Sequence, residues 1–283
     1  MMRFPLGSYS VHRVGFGAMQ LPGPGVFGPP RDHDAAIAVL RRAVERGVDH
    51  IDTAQFYGPD VANELIREAL HPYPENLALV SKVGARRDET GAWLALEEPA
   101  DLRADIERNL STLGIDRLAA VNLRLMDGEG PDGLFDEQLD VMITARDEGL
   151  IGGIGLSNIE VGHLRHALER TEIVCVQNPY NLADRSSQPV LDECAARGLP
   201  FVPFFPLGSA FAQDNPVLGN DIVRRAARQS GHTTAQIALA WTLSVAPNVL
   251  LIPGTSSPAH LEENLAVADI QLAPEVKAQL DAV

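Results

Sequence analysis

Cysteine is scarce in this 283-residue sequence: it occurs twice, as Cys175 and Cys194, with no CxxC pair and no Cys/His cluster. This spacing argues against a disulfide framework or a metal site, and it favours a reducing, cytoplasmic setting. Long apolar runs are also lacking. Because a membrane span needs roughly 18 consecutive apolar residues and a signal peptide needs an apolar stretch near its start, we expect neither membrane insertion nor export.

Basic residues are outnumbered: 23 Lys and Arg stand against 38 Asp and Glu, which gives a formal net charge of -15. Such an excess of negative charge disfavours binding to nucleic acid or to anionic membranes. The hydrophobic content of 45% is enough for a large core, so we expect one domain over residues 1–283. No sequence pattern marks an interface, and a monomer acting on a small molecule is the expected state.

Eight short apolar runs recur along the chain, and each is followed by a segment with helical periodicity. Alternating buried strands and covering helices are typical of a parallel sheet, and eight repeats favour a closed (β/α)8 TIM barrel over an open doubly wound sheet. Residues 3–11 predict a β-hairpin that closes the barrel bottom, and residues 206–219 predict a long loop. The runs are residues 14–19, 50–53, 77–82, 119–123, 151–157, 173–177, 201–204 and 249–253.

Polar side chains collect where the predicted strands end, which is the catalytic face of a (β/α) barrel. Tyr57 follows the second run and could protonate a carbonyl oxygen if its pKa, near 10 when unperturbed, is lowered. The ammonium of Lys82 on the next strand favours the phenolate, and Asp52 can hold that ammonium charged and oriented. The same residues also fit a structural role, in which a buried Asp-Lys pair braces the barrel and Tyr57 is an aromatic at its rim.

Six motifs occur in an order that resembles the aldo-keto reductases over essentially the whole chain. They are HIDTAQFYG at 50–58, VSKVG at 80–84, GLSN at 155–158, VQNPYN at 176–181, FFPLG at 204–208 and IPGTSSPAHLEEN at 252–264. The resemblance implies a barrel that reduces an aldehyde or ketone with NADPH, with Asp52, Tyr57 and Lys82 as catalytic residues.

The fourth catalytic position departs from that family. The resemblance implies a histidine at the end of the fourth strand, where this sequence has Arg124. Arginine does not exchange protons near neutral pH, but its fixed cation can polarise a carbonyl or orient an anionic substrate group. Alternatively, Arg124 is a structural partner of Asp127.

The resemblance also assigns the cofactor site. Side chains at the ends of the fifth and sixth strands grip the nicotinamide, Phe204 stacks on its ring, and the turn after the eighth strand binds the phosphates through backbone amides and a helix N-terminus. The structural alternatives are capping of the adjacent turn by Gln177 and Asn178, and core packing by Phe204. The residues assigned to the cofactor are Ser157, Asn158, Gln177, Phe204, Phe205, Pro206, Leu207, Gly208, Ile252, Gly254, Thr255, Ser256, Ser257, His260, Glu263 and Asn264.

Cofactor preference and substrate are less constrained. The positions that often carry Lys or Arg against the 2′-phosphate in the family read Gly254, Thr255, Ser256 and His260 here, yet we still expect NADPH over NADH. Residues 23–28 match GxGxxG but lead into two prolines rather than a helix, so they are not a dinucleotide fingerprint. We expect this loop to wall the substrate pocket, with Phe27 as a substrate contact. Trp93, in the loop after Lys82, is the second expected substrate contact.

Within the family, the sequence resembles the bacterial pyridoxal reductases, which implies reduction of pyridoxal to pyridoxine. The cation of Arg124 would then face the phenolate oxygen of the substrate ring. Two other functions stay open: a broad or biosynthetic carbonyl reductase, and an NADP-binding regulatory subunit with little turnover.

Overall fold

A β-hairpin precedes a barrel of parallel strands. The computed structural model describes residues 3–96, 98–126, 131–209 and 214–283. In the hairpin, β1 (Arg3–Leu6) pairs antiparallel with β2 (Tyr9–His12). Leu6 and Val11 of the hairpin pack in one apolar cluster with the first residues of several barrel strands. The predicted closure of the barrel bottom is therefore confirmed.

Six parallel strands are hydrogen-bonded in a continuous sheet. They are β3 (Phe16–Gly17), β4 (His50–Asp52), β5 (Ala78–Val83), β8 (Ala120–Arg124), β9 (Ile154–Ser157) and β10 (Cys175–Gln177), and each pairs with the next in this order.

Isolated parallel bridges close this sheet into a barrel. Val176 of β10 pairs with Phe201, Phe201 pairs with Val249, and Leu251 pairs with Val14 just before β3. The predicted seventh and eighth strands are thus present, but as short bridged segments. The (β/α)8 barrel prediction is confirmed.

Ten helices surround the strands in the described residues, and their caps follow from the sequence. Asp32 and Asp132 accept a backbone hydrogen bond at the starts of two helices, while Gly114, Gly198 and Gly231 end three others in the left-handed conformation. The helices are α1 (His33–Glu45), α2 (Val61–Leu70), α3 (Pro99–Leu113), α4 (Gly133–Asp147), α5 (Val161–Arg170), α6 (Gln188–Arg197), α7 (Asp221–Ser230), α8 (Thr234–Ser244), α9 (Pro258–Ala266) and α10 (Pro274–Asp281).

Two departures from a plain barrel lie near its upper rim. A short hairpin, β6 (Ala85–Arg87) and β7 (Trp93–Ala95), follows β5 directly. The predicted loop 206–219 has neither helix nor strand in its described parts, and residues 210–213 of it lie outside the described residues.

A buried polar network ties α2 and α3 to the ends of β4 and β5. Thr53 Oγ1 donates a hydrogen bond to Asn63 Oδ1 at 2.8 Å, and Ser81 Oγ donates one to Asn109 Oδ1 at 2.6 Å. Asn63 Nδ2 donates in turn to Asn109 Oδ1 at 3.1 Å. All four side chains are fully buried, so the network fixes the two strand ends relative to each other from outside the barrel.

One carboxyl group near this network is buried without a good partner. Asp105 in α3 is 7% exposed, and its Oδ2 has no hydrogen-bond partner among the described residues. Burial raises the pKa of Asp105 to about 7; the neighbouring Arg108 opposes this shift and Asp60 adds to it.

This carboxyl group predicts a pH-dependent stability. Between about pH 4 and pH 7 the folded protein holds a proton on Asp105 that the unfolded chain releases, so the free energy of unfolding falls as pH rises through this window. Asp105→Asn should remove that loss. We expect the stability of the variant relative to wild type to rise by about 2–4 kcal/mol between pH 4.5 and pH 8, as measured by urea denaturation at both pH values. A difference that does not change with pH would contradict the raised pKa.

Candidate active site

A buried carboxylate receives hydrogen bonds from two other strands at the carboxyl end of the barrel. Asp52 ends β4, and its Oδ1 accepts a hydrogen bond from Lys82 Nζ of β5 at 2.5 Å. Its Oδ2 accepts one from Gln177 Nε2 of β10 at 2.8 Å. All three residues are at most 2% exposed. The Asp52 carboxylate is therefore held by Lys82 of the adjacent strand β5 and by Gln177 of the more distant strand β10, which fixes its position.

The Lys82 ammonium also lies beside Tyr57. Its Nζ is 5.0 Å from the centroid of the Tyr57 ring, and it donates a further hydrogen bond to the backbone oxygen of Thr53 at 3.0 Å. Burial by itself would lower the pKa of Lys82, but Asp52 and Tyr57 together raise it above its ordinary value. The amine is thus charged at neutral pH, and the structure brings together the three residues that the sequence predicts to be catalytic.

The local fold holds Tyr57 in place. Its backbone N–H bonds to Ala54 O at 3.1 Å, and its carbonyl accepts from Ala62 N at the start of α2, also at 3.1 Å. The Phe56 ring meets the Tyr57 ring edge-on at 5.3 Å. Tyr57 is 6% exposed, so the phenol is shielded except toward the cavity that it lines.

Arg124 is a second cation at this end of the barrel. It ends β8, its Nη1 donates to Ser157 Oγ at 3.4 Å, and its Cζ lies 5.2 Å from the centroid of the Phe204 ring. Burial lowers the pKa of Arg124, while Tyr57 and Asp52 act in the opposite direction. No carboxylate of the described residues lies within 4 Å of its guanidinium, and the alternative partner Asp127 falls outside those residues. Arg124 does not belong to the wall of the cavity that Tyr57 lines, so its contact with a ligand stays a prediction.

A cavity of about 460 Å³ opens beside these groups. It runs from Asp52 and Tyr57 past Gln177 to the turn after the last barrel segment. Most of the residues predicted to bind the cofactor line it. These are Gln177, Phe204, Phe205, Pro206, Leu207, Gly208, Ile252, Gly254, Thr255, Ser256 and His260.

Five other predicted cofactor residues lie beside this cavity rather than on its wall. Ser157 accepts from Arg124, and Asn158 Nδ2 donates to Leu125 O at 2.7 Å. Ser257 caps α9, where its hydroxyl accepts from His260 N, and Asn264 is buried in the same helix. Glu263 accepts at its backbone oxygen from Gln236. Their role toward a cofactor stays a prediction.

The cavity also has wall residues that sequence analysis missed. Gly17 ends β3, Met19 and Gln20 belong to the turn that follows it, and Pro253 continues the last barrel segment. The position of Gly17, Met19 and Gln20 at the end of the first predicted strand, residues 14–19, was a usable signal. Asn215 and Leu218 lie in the long loop, where nothing in the sequence distinguished them from their neighbours.

The side chain of Gln177 has an unsatisfied acceptor that suits the carboxamide of a nicotinamide ring. Its Nε2 is used by Asp52, whereas its Oε1 is buried and has no donor among the described residues. An unsatisfied buried acceptor is costly, and this one belongs to a residue of the cavity wall. A carboxamide N–H group placed in the cavity would satisfy it. The residues present therefore fit the ring that the sequence resemblance implies.

Phe27 and Trp93, predicted as substrate contacts, are joined by a residue that the sequence analysis did not single out. The Arg87 guanidinium lies over both rings, 5.3 Å from the Phe27 centroid and 4.1 Å from the Trp93 centroid. It donates to the backbone oxygens of Val26 at 2.9 Å and Gly91 at 3.0 Å. Neither ring lines the 460 Å³ cavity. Their contact with substrate stays a prediction.

Two features are absent from the described residues. No cluster of three or more His, Cys, Asp or Glu side chains there could hold a metal ion. No helix in the described parts of the chain has the length and apolar character needed to cross a membrane.

Comparisons with known proteins agree with this geometry. Residues 13–283 match the model of the aldo/keto reductase family. The chain is 49% identical to pyridoxine 4-dehydrogenase of Escherichia coli (strain K12) over 283 residues. This alignment covers 99% of the chain and 97% of that protein. It is 38% identical to an uncharacterized oxidoreductase of Schizosaccharomyces pombe, over 98% of the chain and 88% of that protein.

Solved structures show the same fold. A thermostable aldo-keto reductase in complex with the inhibitor epalrestat matches with a TM-score of 0.83 at 29% identity, over 100% of this chain and 99% of that one. An aldo/keto reductase from Klebsiella pneumoniae in complex with NADP and acetate matches with a TM-score of 0.80 at 27% identity, over 99% of this chain and 94% of that one. Since the family model and the sequence relatives cover nearly all of its residues, the chain belongs to the aldo/keto reductase family.

Proposed function

We propose that this protein reduces an aldehyde or ketone to an alcohol with NADPH. The observation that carries the proposal is the meeting of Tyr57 and Asp52 with the Lys82 ammonium beside a cavity whose wall also contains Gln177, with its unsatisfied Oε1. The complexes of Klebsiella pneumoniae relatives with NADP and with NADPH support the choice of cofactor.

The cavity wall supplies suitable groups for each part of NADPH. Gln177 Oε1 would accept a hydrogen bond from the carboxamide, and the Phe204 ring would provide an apolar face for stacking. The turn of Gly254, Thr255 and Ser256, which leads into α9, offers backbone amides and hydroxyls to the phosphates. When bound, NADPH supplies the hydride for the reduction.

The chain itself supplies the proton. Reduction adds a hydride to the carbonyl carbon and a proton to its oxygen, and Tyr57 Oη donates that proton. The Lys82 ammonium stabilises the negative charge left on the phenol oxygen until solvent returns a proton. Asp52 keeps the ammonium charged and oriented through its short hydrogen bond. Arg124 adds a second positive charge on the side of Phe204.

Pyridoxal, reduced to pyridoxine, is the substrate that we propose. Its ring carries a phenolic oxygen that is ionised near neutral pH, and the Arg124 guanidinium lacks a described carboxylate partner. The 49% identity to a pyridoxine 4-dehydrogenase supports the same choice. A broad or biosynthetic carbonyl reductase is the second candidate, because the loops that set pocket shape vary freely in this fold.

A carbonyl panel tests the proposal. Steady-state reduction of pyridoxal, small aliphatic aldehydes, ketones and sugars is measured with NADPH and with NADH. We expect the highest kcat/KM for pyridoxal with NADPH. Similar efficiency across the panel would favour the broad reductase, and bound NADPH that no carbonyl oxidises would favour a regulatory subunit. Efficiency with NADH equal to or above that with NADPH would overturn the cofactor assignment.

Arg124→Ala should discriminate between substrates. Pyridine-4-carboxaldehyde has the ring and aldehyde of pyridoxal but no phenolic oxygen. Because a charge-assisted hydrogen bond contributes about 1.5–3 kcal/mol, we expect kcat/KM to fall about tenfold more for pyridoxal than for the analogue. Arg117→Ala removes an exposed charge before β8 and serves as the control. Equal losses on both aldehydes would refute anchoring by Arg124.

We also propose a cytoplasmic, monomeric protein. Both cysteines are buried and unpaired, as a reducing compartment permits. Size-exclusion chromatography with light scattering measures the oligomeric state directly.

A further inference from the structure

A second cavity adjoins the one that contains the catalytic residues. It measures about 340 Å³ and is lined by the loop that follows β3, by the start of α1 and by Ser256. Met19, Gln20 and Ser256 belong to the walls of both cavities. The second cavity therefore branches from the first where these three residues lie.

Positive charge is scarce along both walls. NADPH carries a pyrophosphate and a 2′-phosphate, and the protein has a net charge of -15. Among the described wall residues, Arg31 is the one arginine and there is no lysine; His260 is the remaining basic group. The acidic wall residues are committed, since Asp52 binds Lys82 and Asp32 caps α1. Arg31 is therefore the one permanently charged cation that the described wall residues offer to the cofactor phosphates.

Arg31 is free to take part. Its side chain is exposed and makes no ion pair or hydrogen bond within the described residues. The other arginines on this side are engaged: Arg42 and Arg46 both pair with Glu262 of α9, at 2.7 and 3.0 Å. Arg31 thus differs from its neighbours in having a cation without a partner.

The backbone on either side of Arg31 is anchored. Gly28 N donates to Gly58 O at 3.0 Å, which ties the preceding loop to the segment that carries Tyr57. Asp32 follows directly, and its side chain caps α1 by accepting from Ala35 N at 2.9 Å. The position of Arg31 is therefore set while its side chain can adapt to a ligand.

We infer that Arg31, together with Ser256, binds the 2′-phosphate of the cofactor. The pyrophosphate belongs to the linear path of the dinucleotide, which the larger cavity follows, and Arg31 does not line that cavity. The 2′-phosphate is a branch from that path, as the second cavity is a branch at Ser256. This inference rests on the proposed use of NADPH, and it makes Arg31 the residue that discriminates NADPH from NADH.

Equilibrium binding to the full-length protein tests the inference without turnover. Isothermal titration is performed with NADP+, NAD+, adenosine 2′,5′-bisphosphate and AMP, on wild type, Arg31→Ala and Arg31→Lys. Because a charge-assisted contact at an exposed site contributes about 1.4 kcal/mol, or a factor of ten, we expect Arg31→Ala to weaken NADP+ and the bisphosphate about tenfold. Binding of NAD+ and AMP should change less than twofold, and Arg31→Lys should keep most of the affinity for NADP+.

Arg46→Ala is the matched control. It also removes one positive charge, but at the other end of α1, and Arg46 lines neither cavity. It should leave the preference for NADP+ unchanged. Equal weakening of NADP+ and NAD+ by Arg31→Ala, or no weakening of either, would overturn the role of Arg31. If the wild type itself binds NADP+ no better than NAD+, the proposed cofactor preference fails instead, so the two failures are distinguishable.

Discussion

Tyr57→Phe is expected to lower kcat for carbonyl reduction by about a thousandfold. The substitution removes the phenolic proton and leaves the ring, so the edge-on contact with Phe56 at 5.3 Å is kept. Dissociation constants for NADP+ should stay within about twofold of wild type, because the proposed cofactor contacts lie on other residues. Single-turnover reduction with prebound NADPH, followed by absorbance at 340 nm, measures the chemical step.

Tyr73→Phe is a suitable control for the loss of a hydroxyl group. Tyr73 Oη donates to the backbone oxygen of Leu113 at 2.7 Å, away from the active-site cavity. Its removal should cost about 1 kcal/mol of stability and leave kcat unchanged. Near-normal turnover in Tyr57→Phe would remove Tyr57 from its role as the acid.

Lys82→Met should affect both catalysis and stability. Loss of the ammonium leaves negative charge on the phenol oxygen unstabilised, and we expect kcat to fall at least about a hundredfold. It also leaves Asp52, at 2% exposure, without its buried countercharge, which destabilises folded proteins by about 3–5 kcal/mol. Urea denaturation and steady-state kinetics on the same preparation measure both effects.

The double variant Asp52→Leu/Lys82→Met separates these two effects. Replacing both members of a buried ion pair by apolar residues is often neutral for stability, so the double variant should recover most of the lost free energy of unfolding. It should remain as inactive as the single variant. Recovery of turnover in the double variant would mean that Lys82 acts only as a structural partner of Asp52.

The residues along single strands were the part of the site that the sequence could predict. Apolar runs located β4 and β5, and the rule that catalytic groups lie at strand ends then selected Asp52 and Lys82. Tyr57 followed from its short distance along the chain and from the chemistry of proton transfer. The seventh and eighth barrel segments were also predicted, although each is bridged to its neighbours at isolated residues rather than as a regular strand.

Contacts between distant loops were not predictable from one sequence. Periodicity reports which face of an element is buried, but it does not report which other element covers that face. Asn63 and Asn109 bond across 46 positions, and Ser256 shares a cavity wall with Arg31 from the opposite end of the chain. Trp93 was predicted as a substrate contact, but its stacking on Arg87 depends on a hairpin that the apolar pattern did not indicate.

The bridge made by Arg87 has a consequence for redesign of specificity. Its guanidinium binds backbone oxygens of the segment 25–26 and of its own hairpin, and it lies over Phe27 and Trp93 at the same time. A graft that exchanges one of these two segments with a homologue leaves the arginine facing foreign carbonyls. The segments therefore form a single cassette, to be transplanted together when a new aldehyde is to be accommodated.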